Sequence, residues 1–228
     1  MSRFFKGFGL VLLVLVGLFY VACVPDRWSW HQKVSLVVGT PEGEQTAYAV
    51  SRVGVSKLDR SWVFIEARGA NTSVSGEAVV LEVMPGKYLF GLLKGAHHEG
   101  NANWLADVFR DKGSDETSEQ FWSRIDHSRL STNLSGNHMP LLVTFTDITD
   151  PSTVKRVDPN DLESHFGAGV VLKAVTLEIT GEKVTRGRVE KVLGWLSKYP
   201  EPGLCKSTGQ TTNIPFCRRV YHGDIIRR

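Results

Sequence analysis

Apolar positions run without a charge from Gly7 to Val24, a stretch of Leu, Val, Phe and Gly closed by Pro25-Asp26-Arg27. As a helix it would be roughly 27 Å long, close to the ~30 Å hydrocarbon thickness of a bilayer. Beyond it the pattern breaks into short segments. Lys33–Thr40 reads as a strand, Pro41–Glu44 as turn chemistry and Gln45–Val53 as the returning strand, which predicts a hairpin. Ser61–Ala67 is a third strand candidate. Glu77–Val83 and Lys87–Leu93 predict a second hairpin about Met84-Pro85-Gly86.

The period then changes. Asn103–Asp111 and Asp115–Asp126 read as helices, the second with Ser114 as N-cap before the acidic pair Asp115-Glu116. Trp104, Leu105 and Val108 share one helical face; Phe121, Trp122 and Ile125 share another. Pro140–Asp147 and Gly169–Ile179 predict strands, with Val175, Leu177 and Ile179 on one face. Between them Asp158 caps, Pro159 starts and Gly167 stops a short helix. Thr185 caps a last helix whose Val189, Val192, Leu193 and Leu196 follow the helical repeat until Pro200. Residues 127–139 and 200–217 are the expected loops. Antiparallel-looking strand pairs come first and helices later, so the expected class is α+β: one antiparallel, sheet-containing domain behind an N-terminal transmembrane helix.

Three fates fit the N-terminal run. It stays as a signal anchor, it is cleaved after Ala22, or Cys23 becomes lipidated as in a lipoprotein. Tyr20 suits neither cleavage pattern, and the length of the run favours the anchor. Arg3 and Lys6 precede it, while Asp26 and Arg27 cancel after it, so the positive-inside rule keeps residues 1–6 in the cytoplasm and sends the domain across. The expected organisation is then a span at 7–24, an interfacial linker at 25–32 with Trp28 and Trp30 at headgroup depth, the domain at 33–199, and a C-terminal extension at 200–228.

Outside the span only Cys205 and Cys217 remain, with eleven residues between them in a polar, turn-rich stretch. A disulfide there would contribute on the order of 2–3 kcal/mol and fits an oxidising compartment; a zinc site would need closer pairs, and only His222 is near. The net charge of +3 is mild and gathers at Arg218, Arg219, Arg227 and Arg228. A solvated tail is the plain reading of these arginines, and no basic stripe interleaved with aromatics points to nucleic acid.

Several blocks have a familiar look together: Thr40-Pro-Glu-Gly43, Gly76-Glu-Ala-Val79, Leu89-Phe90 with Leu92-Leu93, Pro140 to Pro151, Val157 to Leu162, Phe166 to Val170, Leu177 to Thr180, and Val189 to Leu196. Across about residues 33–197 the chain resembles a group of uncharacterised proteobacterial proteins with one N-terminal membrane helix. The resemblance implies a bacterial envelope protein and transfers no activity or functional residue.

Candidate chemistry is sparse. His97-His98-Glu99 could join Asp107 or Glu116 around a metal only if the segment is a loop, because neighbouring strand residues face opposite ways. Asp147, Asp150, Asp158 and Asp161 make an acidic cluster, but Asp150-Pro151 and Asp158-Pro159 read as turn and helix-start chemistry, without the spacing of a calcium loop. Ser135 and His138 lie close, with no nucleophile elbow. No phosphate-binding loop or dinucleotide fingerprint occurs. The expectation is a single-pass inner-membrane protein whose periplasmic domain binds an unknown protein or cell-envelope partner, without cofactor or catalysis. The alternative is a tethered metal-dependent hydrolase using His97, His98, His138 and nearby aspartates such as Asp147 and Asp150.

Overall fold

The structure, a computed structural model, describes residues 26–58, 69–96, 102–110, 113, 115–198, 203–205 and 214–228. The apolar run, the strand expected at 61–67, and the His97-His98-Glu99 motif lie outside these residues. No helix among the described residues is long and apolar enough to cross a membrane.

The class is mixed α+β, with two antiparallel sheets in a single domain. The first hairpin extends at both ends: β1 is Asp26–Thr40 and β2 is Gly43–Leu58, paired along their whole length from Asp26↔Lys57 to Thr40↔Gly43. β3 (Gly69–Glu77) pairs with the far half of β2, and β4 (Val79–Met84) and β5 (Lys87–Gly95) form the second hairpin. Later strands are β6 (Ser131–Asn133), β7 (Pro140–Phe145), β8 (Val154–Arg156), β9 (Val171–Thr180) and β10 (Ile226–Arg227). One sheet has the order β10-β3-β2-β1-β9-β6 and the other β4-β5-β7-β8.

The chain changes sheets between β3 and β4 in the span of Gly76, Glu77 and Ala78. Gly76 makes this corner with φ +145°, where a Cβ would lie 2.8 Å from that of Ser51. A residue with a side chain would meet both a strained backbone and a filled space.

The inner face of the six-stranded sheet carries Trp30, Leu36, Val53, Leu177 and Ile179, packed against Leu81, Leu89 and Leu142 of the four-stranded sheet. The outer face of that smaller sheet is also buried: Phe90, Val143 and Phe145 meet Leu193, Leu204 and Ile225. Its strands are therefore apolar on both faces, as Pro140–Phe145 shows by being buried at every position. Among the described residues the large sheet is covered on one face only, and it alternates accordingly.

Several expectations are corrected. Residues 26–32 are not a linker but the first half of β1, and Trp30 is buried in the core while Trp28 rests on Trp122 at 5.1 Å between ring centroids. Alternation places both indoles on the inner face of β1, where the apolar core outcompetes an exposed position. The segment at 102–109 is 3₁₀ rather than α. α1 is Ser118–Asp126 and starts at Thr117, not Ser114, because Thr117 and Gln120 form a reciprocal capping box. α2 is a single turn, Glu163–Phe166, four residues later than expected; Asp158 instead closes the preceding turn through the Asn160 N–H.

α3 is only Arg188–Val192. Thr185 does not cap it: its hydroxyl accepts from the Val50 N–H and its own N–H donates to the Val50 carbonyl, extending the edge of β2. The C-terminal residues are no extension. α4 (His222–Ile225) and β10 close the outer face of the smaller sheet and reach β3.

Candidate functional site

The sequence candidates among the described residues do not gather into one site. Asp147 Oδ1 accepts from the Thr149 N–H and hydroxyl, and Asp150 Oδ1 from the Ser152 N–H, so both carboxylates serve their own turns. The Thr149 hydrogen bonds hold the Asp147 carboxyl below its ordinary range. His138 lies on a 3₁₀ turn, Gly136–His138, near Asp107. Among the described residues no group of three or more His, Cys, Asp or Glu side chains could hold a metal ion. His97 and His98 lie outside the described residues, so the metal candidate built on them has no geometry here. Cys205 and Cys217 are joined as a disulfide, as the sequence suggested.

A buried carboxylate lies elsewhere. Glu77 is 1% exposed, and its Oε2 accepts from the backbone N–H groups of Arg188 and Val189 at 3.0 and 3.2 Å. Its Oε1 has no hydrogen-bond partner among the described residues and borders a small hollow shared with Gln32 and Ser51. The contacts on Oε2 make Glu77 a clamp that holds α3 to the sheet corner.

A cleft of about 330 Å³ opens between the edges of the two sheets. β9 brings one wall, with Leu172, Lys173 and Val175. The end of β7 and the turn after β8 bring the other, with Leu142, Arg156 and Asn160. Two local irregularities shape it. β1 and β9 slip register between Val37 and Val38, where Ala174 and Leu172 are the successive partners, so Lys173 is a bulged extra residue. Gly39 gives its stem room: a Cβ there would lie 2.7 Å from Lys173 Cε.

β6 then stops short. It pairs only with residues 176–178 of β9, and the Leu134 N–H adds one bond to the Val175 carbonyl at 2.7 Å. The edge of β9 from Val171 to Ala174 has no strand neighbour among the described residues, and Val171 is 42% exposed.

The cleft therefore has an apolar floor, an open strand edge and the Arg156 cation, with Lys173 on the bulge of β9 and its stem laid over Gly39. Arg156 donates to the Ala96 carbonyl at 3.3 Å, and neither Arg156 nor Lys173 has a carboxylate partner among the described residues. The described lining residues include no carboxylate, histidine or cysteine. Sequence reasoning passed over the cleft, because Arg156 and Lys173 lie seventeen residues apart in ordinary surroundings; the one signal was Lys173 interrupting an apolar run.

No family model, curated protein or solved structure matches the chain.

Proposed function

We propose that this chain is a membrane-anchored bacterial envelope protein whose domain faces the periplasm and binds a partner without catalysis. The cleft between the sheets is the binding site, and the partner is an extended protein segment bearing an apolar residue and an acidic one. The segment adds to the open edge of β9, where its backbone satisfies free N–H and C=O groups, as exposed edges favour. The observation that carries the reading is the cleft itself: an apolar floor with Arg156 on its lip, Lys173 on the bulge of β9 beside it, and a strand edge left unpaired among the described residues. The uncharged run Gly7–Val24 supports the anchor. The Cys205–Cys217 disulfide suits an oxidising compartment, and the resemblance to single-helix proteobacterial proteins agrees with it.

The test places a photoreactive amino acid at Asn160 of the full chain in intact cells. A discrete cross-linked partner is expected, with its yield reduced at least tenfold by Arg156→Glu with Lys173→Glu and unaffected by Arg228→Glu. Unchanged cross-linking in the double variant, or stoichiometric metal with metal-dependent hydrolysis in the purified protein, would overturn the reading.

A further inference from the structure

The outer face of the large sheet, uncovered among the described residues, has a second hollow at the end where β1 begins. Register places three rows of three residues on this outer face. Arg27, Ser56 and Asn71 lie side by side across β1, β2 and β3; so do Ser29, Gly54 and Ser73; so do His31, Arg52 and Ser75. Alternation sends the intervening Trp30, Val53, Val55 and Val74 into the core. The central position of this grid is a glycine. A Cβ on Gly54 would lie 2.8 Å from Ser73 Oγ, so any side chain there would fill the hollow. The space measures about 290 Å³.

Its charges converge. Arg52 sits opposite His31 in register, yet its Nη2 reaches back to Ser29 Oγ at 3.4 Å, toward the row that Arg27 flanks from the other side. Two guanidinium groups thus border a glycine floor ringed by Ser29, Ser56, Asn71 and Ser73. Asp126, at the end of α1, is the one carboxylate among the described lining residues, which leaves the rim net positive. Guanidinium forks with hydroxyl and amide donors around a small concave floor make the donor set that a phosphate monoanion requires.

The position of the hollow selects the source of the phosphate. β1 begins at Asp26, two residues after the apolar run ends at Val24. A bilayer's polar layer is about 5–8 Å deep on each side, and a strand rises about 3.3 Å per residue. If the run spans the membrane, the Arg27 row stands in the headgroup layer and Arg52 bends down toward it. We infer that this hollow binds the phosphate of an anionic phospholipid headgroup and so seats the domain against the membrane that anchors it. The inference rests on the anchor reading of the N-terminal run and is independent of the cleft at β9.

The test uses the full chain purified in a neutral detergent and titrated separately with phosphatidylglycerol, phosphatidylcholine and inorganic phosphate, with bound ligand counted by native mass spectrometry. Phosphatidylglycerol is expected to be retained in preference to phosphatidylcholine. Affinity is expected to fall about fivefold with Arg27→Gln or Arg52→Gln and about thirtyfold with both. It should rise with Asp126→Asn, and stay unchanged with Arg228→Gln. Arg27 and Arg52 are exposed, so the double variant keeps its fold, which an unchanged thermal midpoint checks.

Phosphatidylglycerol retention equal in the double variant and the parent would overturn the site. Inorganic phosphate bound as tightly as the lipid would overturn the headgroup as its source. Washing cell membranes with alkaline carbonate tests the anchor separately. Release of the chain would overturn the anchor reading, while loss of binding in the double variant would still support the phosphate site.

Discussion

Glu116 illustrates what one residue contributes at the edge of this domain. Arg124 Nε and Nη2 donate to its two carboxylate oxygens at 2.7 and 2.9 Å, and Nη2 also reaches the Phe109 carbonyl at 3.2 Å. The pairing ties the start of α1 to the 3₁₀ segment before it, and the Arg124 hydrogen bonds, with the positive charges of Arg124 and Arg110, hold the Glu116 carboxyl below the ordinary glutamate range. A carboxyl whose folded pKa is depressed stabilises the fold above its unfolded pKa, about 4.3 for glutamate. That stabilisation is lost as pH falls through the folded value. Glu116→Gln is therefore expected to lower the thermal midpoint at pH 7, with the gap to the parent closing as the pH is taken below 4. A gap that is constant over this range would mean that charge is not what Glu116 contributes.

At the scale of elements, the most consequential join is the one between the sheet corner and α3. Five residues make no helix that stands alone, and α3 is held by burial of Val189 and by the Glu77 carboxylate on its first free N–H groups. Glu77→Ala would leave two backbone donors without an acceptor at a buried site, at a cost on the order of 3 kcal/mol. Glu77→Gln keeps an acceptor oxygen and is expected to lose less than half as much. Urea unfolding followed by tryptophan fluorescence measures both, and equal losses would refute the clamp.

At the scale of the molecule, the C-terminal residues complete the outer layer. Leu204, Val220 and Ile225 are buried against the smaller sheet, and the Cys205–Cys217 bridge fastens the two ends of this cover. Closing a loop of that length stabilises by about 3 kcal/mol in the chain-entropy account. Reduction, or Cys205→Ala with Cys217→Ala, is expected to lower the unfolding free energy by about that amount, read from urea melts with and without reductant. No change would mean that packing alone holds the cover.

The sequence by itself determined the local terms. The two hairpins, the strands at 140–145 and 171–180, the inward faces of Val175, Leu177 and Ile179, and the cysteine pair were all legible, because alternation, turn residues and cysteine count are short-range signals. Tertiary structure decided the rest. Trp28 and Trp30 belong to the core because β1 continues past the hairpin that pattern alone suggested. Thr185 extends a strand rather than capping a helix because Val50, 135 residues earlier, offers it both a donor and an acceptor. Neither hollow could be read along the chain. Each depends on the register of strands distant in sequence: β9 against β1 and β6 for the cleft, and β1, β2 and β3 for the ring around Gly54. Periodicity indicates which face a residue takes, but only the pairing of strands sets which residues on that face become neighbours.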